Sequence, residues 1–269
     1  TTAIHTLLHP LLTDPFDKAC FFIIDRLGNF SQELLLWISS RFCTDAVRER
    51  LVYIQPARED FVPTFNPLRY QTPGECFYRV KRTTEIILRA WASQDIQQMP
   101  RLDRWTYNTF AAAAQLGLTL SDCNHFVMPG SKYHDGLLQL LPDQMQVEWR
   151  DLLKNPHSQH ASQILDSTRN RLKPYFESDI LRRMFGSTEI RLDVQRMMRE
   201  ARIVIVDLSP RGRLFETVAN TIAALLLNEV LAVARSLPRQ VNYPTFLLLD
   251  ESQNYVGPDI ESALPEVRQ

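Results

Sequence analysis

The chain has 269 residues, 45% of them hydrophobic and 23% charged, and its 30 basic and 31 acidic side chains leave a net charge of −1. That balance excludes a disordered chain, because enough apolar surface is present to build a core, and it excludes a uniformly basic duplex-coating protein. The longest apolar stretch, Val218 to Val233, is broken by Asn220, Asn228 and Glu229 and falls short of the roughly 18 apolar residues of a membrane span.

Cys20, Cys43, Cys76 and Cys123 show no CxxC spacing and read as reduced, intracellular thiols. The chain opens at Thr1 inside a helical pattern and closes at Asp259 to Gln269 inside another, so the expectation is a fragment of a longer protein.

Taken in chain order, Thr1 to Leu12 carries apolar residues at helical spacing, at Ile4, Leu7, Leu8, Leu11 and Leu12. Cys20 to Asp25 is a continuously apolar run ending in a carboxylate, the pattern of a buried parallel strand with a site at its carboxyl end. A helix is expected over Phe30 to Cys43 with Asn29 as its cap, then a strand over Leu51 to Ile54. Helical periodicity covers Glu75 to Ala92, Arg101 to Leu116, Met145 to Lys154 and Ser158 to Leu172. Pro100, Pro129-Gly130, Pro142, Pro156 and Pro174 punctuate that block. Strand signals return at Arg202 to Leu208 and Thr245 to Asp250, separated by a long helix over Phe215 to Ala234. The fold class expected is α/β, a parallel-sheet core interrupted by an all-helical insertion: core over 1–72, insertion over 73–200, core again over 201–269.

The sharpest chemical signal is Phe246-Leu247-Leu248-Leu249-Asp250-Glu251. Four apolar residues followed by Asp-Glu match the Walker B pattern, in which a buried strand delivers an aspartate to a Mg²⁺ shell and the next carboxylate polarises water. A plain acidic strand end near a helix cap gives the same six letters. The eight glycines, Gly28, Gly74, Gly117, Gly130, Gly136, Gly186, Gly212 and Gly257, form no GxxxxGK[ST]. Thr1 occupies the place of the motif's final hydroxyl residue if the chain were cut just after its lysine. His157 with His160, and His125 with Cys123 and Asp122, lack the further ligands of a zinc site and read as structural or surface residues. Trp91, Trp105, Tyr107 and Phe110 stand at helix-packing spacing.

The succession FFIIDRLGNFSQELL, FNPL, a helical block, RIVIVDLSPRGRL, TFLLLDESQNY and EVRQ resembles the HerA–TraG branch of the HerA/FtsK P-loop ATPases over nearly the whole chain. These are hexameric DNA-pumping motors that include conjugative coupling proteins and HerA-type helicases. The resemblance implies a RecA-like core that binds ATP and Mg²⁺, with DNA, a homo-hexameric ring and secretion or conjugation machinery as partners. It implies a cytoplasmic location, at the inner face of the membrane where the parent chain provides the means.

By the same resemblance, Thr1 and Thr2 align with the end of the P-loop, Asp250 with the Mg²⁺-associated aspartate beside Thr1, and Glu251 with the catalytic glutamate. Gln253 lies in the family's Asp-Glu-x-Gln pattern. Asp25 to Asn29 is similar to the family's Asp-Pro-x-Gly-Asp turn, with Arg26 in place of proline and Asn29 in place of the last aspartate. Arg211 and Arg213, and less specifically Arg268, are implied to contact a phosphate or a neighbouring subunit; solvated loop arginines are the simpler reading of each.

Without the glycine-rich cradle, the chain by itself is expected to hydrolyse little or no ATP. Three other readings stay open at this point. One is a non-catalytic scaffold that keeps the fold. Another is a secretion ATPase that moves protein. The third is a metal-dependent nuclease using Asp25, Asp250 and Glu251.

Overall fold

The computed structural model describes residues 2–14, 18–58, 62–91, 100–155, 158–211, 213–237 and 243–257, with side chains described for these except at 2–7 and 91. In chain order the elements are α1 (Thr2–Thr13), β1 (Cys20–Asp25), α2 (Asn29–Ser39), α3 (Asp45–Arg48) and β2 (Leu51–Ile54). A helical series follows: α4 (Pro73–Trp91), α5 (Pro100–Gln115), α6 (His134–Gln139), α7 (Asp143–Leu153), α8 (Gln159–Leu172), α9 (Pro174–Glu177) and α10 (Asp179–Phe185). The chain ends its described course with α11 (Val194–Arg199), β3 (Ile203–Asp207), α12 (Glu216–Ser236) and β4 (Thr245–Leu249). These divide into two compact units, an α/β unit of Thr1–Val62 with Leu192–Gln269 and a helical unit of Pro63–Arg191.

In the α/β unit the four strands among the described residues form one sheet of order β2-β3-β1-β4, and every pairing is parallel. All residues of β1 and β3 are buried, which is why both read as unbroken apolar runs rather than as alternating ones. Phe21 and Ile23 of β1 and Ile203 and Ile205 of β3 point to one face, where Leu8 and Leu12 of α1 and Leu34 and Ile38 of α2 close over them. Each such side chain, once fully buried, contributes roughly 1.5–3 kcal/mol. Phe22, Ile24, Val204 and Val206, on the opposite face, are buried as well. α12 is long and apolar enough to cross a membrane by length and composition, yet 72% of its apolar window is buried inside the protein, as in a core helix. β4 is only partly buried along its length, and Phe246 is exposed.

Two local details differ from expectation. Asn29 is not the cap of α2; Gly28 is, at φ 82°, and no side chain of the cap residue serves the helix. The helix also stops at Ser39 rather than reaching Cys43, because Ser40 turns extended and its hydroxyl bonds back to the Trp37 carbonyl at 2.7 Å.

The helical unit has its own core. Phe110, Ala112 and Ala113 of α5 are wholly buried, and Trp105 meets Trp149 of α7 edge-on with centroids 5.2 Å apart. Ser158 and Ser178 cap α8 and α10 by accepting from the Ala161 and Leu181 amides. The two connecting stretches run within this unit, where Phe65 N–H donates to the Met184 carbonyl and Arg191 N–H to the Thr64 carbonyl. α11 belongs instead to the α/β unit: its Met197 carbonyl accepts from Arg202 N–H and from the Cys20 thiol. The division therefore falls at 62/63 and 191/192, about ten residues ahead of where proline punctuation and the return of strand patterning put it.

Candidate functional site

Three of the four strands deliver an aspartate to the carboxyl edge of the sheet. Asp25 ends β1 and lies in register with Asp207, the last residue of β3. Asp250 follows β4 directly, and its N–H donates to the Ile24 carbonyl at 2.9 Å. In open parallel sheets ligands bind outside this edge, so what each carboxylate already does decides which of them can act.

Asp25 is fully buried and spends both oxygens on its own turn. Oδ1 accepts from the N–H groups of Leu27 (3.1 Å) and Gly28 (2.8 Å), and Oδ2 from that of Ser31 (2.6 Å). The carboxylate thus does the capping work for α2 that Asn29 does not do. Gly28 is required twice over. Its φ of +82° disfavours an L side chain, and a Cβ there would lie 2.7 Å from Ser209 Cβ and 2.9 Å from Asp207 Oδ1.

Asp207 is also fully buried and is satisfied by long-range donors. Its Oδ2 accepts from Tyr53 Oη (2.5 Å) and Gln55 Nε2 (2.6 Å) at the end of β2, and its Oδ1 from Ser209 N–H (2.9 Å). Burial by itself raises its pKa, but the Ser209 and Tyr53 hydrogen bonds and the Arg211 charge outweigh it and hold the carboxyl below its ordinary value of 3.8. Burial, and then the Asp207 bond and charge, push the Tyr53 phenol upward. Arg211 folds back on the same turn. Its Nη2 lies 3.3 Å from Asp207 Oδ2 and its Nε 3.2 Å from Ser209 Oγ, with the backbone in the left-handed region at φ 42°. In this conformation Arg211 braces the β3 turn, while its side chain stays about half exposed. Tyr53, Gln55 and Asp207 carry no sequence signal of their own, since the strand pairing that joins them spans about 150 positions.

Asp250 differs from both. It is exposed, and burial, the Asp25 and Glu251 charges and a side-chain hydrogen bond to Asp25 push its pKa above 3.8. A carboxylate held beside another and open to solvent is a fitting ligand for a hard cation such as Mg²⁺, whose charge would relieve that repulsion. Tyr255, which is buried, hydrogen-bonds the Asp250 carbonyl at 3.0 Å; burial first, and then the charges of Asp250 and Asp25, push its phenol upward. Glu251 follows in the left-handed region at φ 51°, a conformation rare for a non-glycine residue and typical of strained functional turns. Its carboxylate is exposed and accepts from Gln253 Nε2 at 2.5 Å. Arg26, where the resembling turn has proline, is buried and ties this edge to α12 through Asn220 Oδ1 (2.7 Å) and Glu216 Oε1 (2.7 Å).

The sheet edge therefore brings together Asp25, Arg211, Asp250, Glu251 and Gln253. Arg213 is exposed on the loop after β3. Thr1, Arg268 and His157 lie outside the described residues, and Thr2 opens α1 with its side chain undescribed. Among the described residues no three His, Cys, Asp or Glu side chains converge to hold a metal. A three-carboxylate nuclease centre of Asp25, Asp250 and Glu251 is accordingly not assembled among these residues.

No protein-family model matches the sequence, and no curated protein matches it. Solved structures do match in fold. The plasmid coupling protein TrwB in complex with the non-hydrolysable ATP analogue ADPNP superposes with a TM-score of 0.60 at 14% identity, covering 99% of this chain and 56% of that one. The complex of TrwB with the GTP analogue GDPNP gives 0.55 at 13% identity, covering 99% and 56%. The unbound bacterial conjugative coupling protein TrwBdeltaN70 gives 0.55 at 12% identity, covering 99% and 55%. The chain thus spans little more than half the length of these structures, and over almost all of its own length it is similar in fold to TrwB, with the α/β parallel sheet and helical unit expected from the sequence.

Proposed function

We propose that the chain is the nucleotide-hydrolysing core of a DNA-moving motor of the conjugative coupling type. The observation that carries this reading is the Asp250-Glu251 pair at the carboxyl end of β4, beside the buried Asp25, in a fold shared with nucleotide-bound TrwB. In this reading the sheet edge is where ATP would bind, and Asp250 and Thr1 are the residues that would hold Mg²⁺. The ion, when bound, offsets charge on the phosphate oxygens.

Glu251 orients and deprotonates the attacking water, and its strained backbone, with Gln253 donating to its carboxylate, fixes the direction it faces. Asp25 is a positioning residue: it holds the Gly28 turn and its charge keeps Asp250 short of a counter-ion. Arg211 and Arg213 are the cations nearest the loop that follows β3. Arg211 reaches a phosphate or a neighbouring subunit only by leaving Asp207.

The phosphate cradle is supplied in this account by sequence outside the 269 residues, since their glycines form no P-loop. The partners are DNA, further copies of the chain in a hexameric ring, and conjugation or type IV secretion proteins at the cytoplasmic face of the membrane. The test is Mg-ATP hydrolysis by the protein that contains these residues, with and without single- and double-stranded DNA. Stimulation that weakens steeply with salt supports a DNA motor. Hydrolysis indifferent to DNA points to protein cargo, and no nucleotide binding at all leaves a scaffold.

A further inference from the structure

The helical unit contains a cavity of about 600 Å³ between the start of α5 and one face of α8. α8 carries two neighbouring stripes. Ala161, Leu165, Thr168 and Leu172, at helical spacing, are buried in the core of the unit. The next stripe around the helix, His160, Gln163, Ile164, Ser167 and Arg171, lines the cavity instead and is almost entirely polar. His160, Gln163 and Ser167 are exposed and Ile164 and Arg171 only partly buried, so the cavity is open to solvent and accessible to a ligand.

The charges point to one. Arg101 and Arg171 both line the cavity, and the Arg171 Nε is buried with no hydrogen-bond partner. A buried guanidinium N–H left without an acceptor is unfavourable, and a ligand oxygen that reached it would relieve that cost. The amino-terminal end of α5, a helix of 16 residues beginning at Pro100, opens on the same space with its partial positive charge. Asp103, two residues after Arg101, is engaged by Lys81 of α4 at 3.3 Å, and no carboxylate is among the described lining residues.

We infer that this cavity is an anion site that takes a phosphate group, held between the Arg101 and Arg171 guanidiniums with Ser167 and Gln163 as neutral donors. Its volume admits a ligand of nucleotide size, while among the described lining residues no aromatic ring apart from His160 is present to stack a base. Recognition is therefore of the phosphate, carried by a free small molecule or by a nucleic-acid backbone. The inference is independent of the hydrolysis assigned to the sheet edge.

The experiment is an NMR titration of the arginine Nε–H resonances of the full chain, with the Arg171 peak identified by its loss in Arg171→Met. Inorganic phosphate is the probe, with sodium chloride at matched ionic strength as control, and Arg101→Met is the second variant because its exposed side chain can change without touching the core. The expected result is a saturable shift of the Arg171 peak by phosphate and not by chloride, weakened about tenfold or more in Arg101→Met. If a thymidine oligonucleotide then competes with phosphate for the same peak, the source is a nucleic-acid backbone; if it does not, the ligand is a free phosphate compound. No shift with either probe, a shift equally produced by chloride, or a shift unchanged in Arg101→Met overturns the inference.

Discussion

Asp25 and Asp207 face each other in register at the ends of two adjacent parallel strands, both fully buried, and each is held by a different kind of donor. Asp25 is satisfied locally, by three backbone N–H groups within six residues. Asp207 is satisfied at long range by Tyr53 of β2 and by Gln55 just after it, and locally by Ser209 and Arg211 of its own turn. Two structural acids placed this way leave the exposed Asp250 and Glu251 as the carboxylates of this edge that can meet a ligand.

Replacing Asp207 should cost the fold dearly. Asp207→Ala leaves the Tyr53 hydroxyl and Gln55 amide without their acceptor, a loss of about 2–4 kcal/mol in urea unfolding. Because the folded carboxyl titrates below 3.8, its contribution is complete above that pH and fades as pH falls through the folded value. Wild type and variant should therefore differ most at neutral pH and converge in acid. A difference under about 0.5 kcal/mol at pH 7 would show that the network is not stabilising.

Gly28→Ala combines an unfavourable φ with a Cβ 2.7 Å from Ser209 Cβ. The expected loss is about 1–3 kcal/mol, accompanied by shifts of the Ser209 and Asp207 resonances as the two turns separate. An unchanged unfolding midpoint would mean that the turns do not pack this closely.

Asp250 should behave in the opposite way to Asp207. Its folded pKa is raised, so the native state holds its proton more firmly, and this group's effect turns against folding as pH rises through that range. Asp250→Asn is expected to leave stability at pH 7 unchanged or to raise it by no more than about 1 kcal/mol, since the group is exposed and screened. Under the proposed function, Mg-ATP hydrolysis should in contrast fall. A marked destabilisation would place Asp250 among the structural acids.

Much of the α/β core was legible because β1 and β3 are buried on both faces and so read as Cys20–Asp25 and Ile203–Asp207 without interruption. Asp250 and Glu251 stand out for a different reason: an apolar run ending in two acids is a pattern within six consecutive residues. Strand order was not legible, because β1 pairs with strands more than 180 and more than 220 residues further on, and no local preference encodes that choice. The Asp207 network was hidden by the same long-range pairing. Asn29 misled as a helix cap because the competing acceptor, Asp25, sits three residues before the Gly28 cap and reaches forward to Ser31. Arg26 reads as a departure from the resembling turn, and only the folded chain shows what it contacts, Glu216 and Asn220 of α12.

The central claim is that Glu251 activates water for ATP hydrolysis, and Glu251→Gln tests it most directly. The measurement is steady-state Mg-ATP turnover by the protein carrying these residues, alongside nucleotide affinity and the unfolding midpoint. An exposed side chain whose hydrogen bond is to Gln253 should leave the midpoint and the affinity essentially unchanged, while turnover falls by about 10²-fold or more. Turnover retained within a few-fold in Glu251→Gln would contradict the account, and the Asp250-Glu251 pair would then be no more than an acidic strand end.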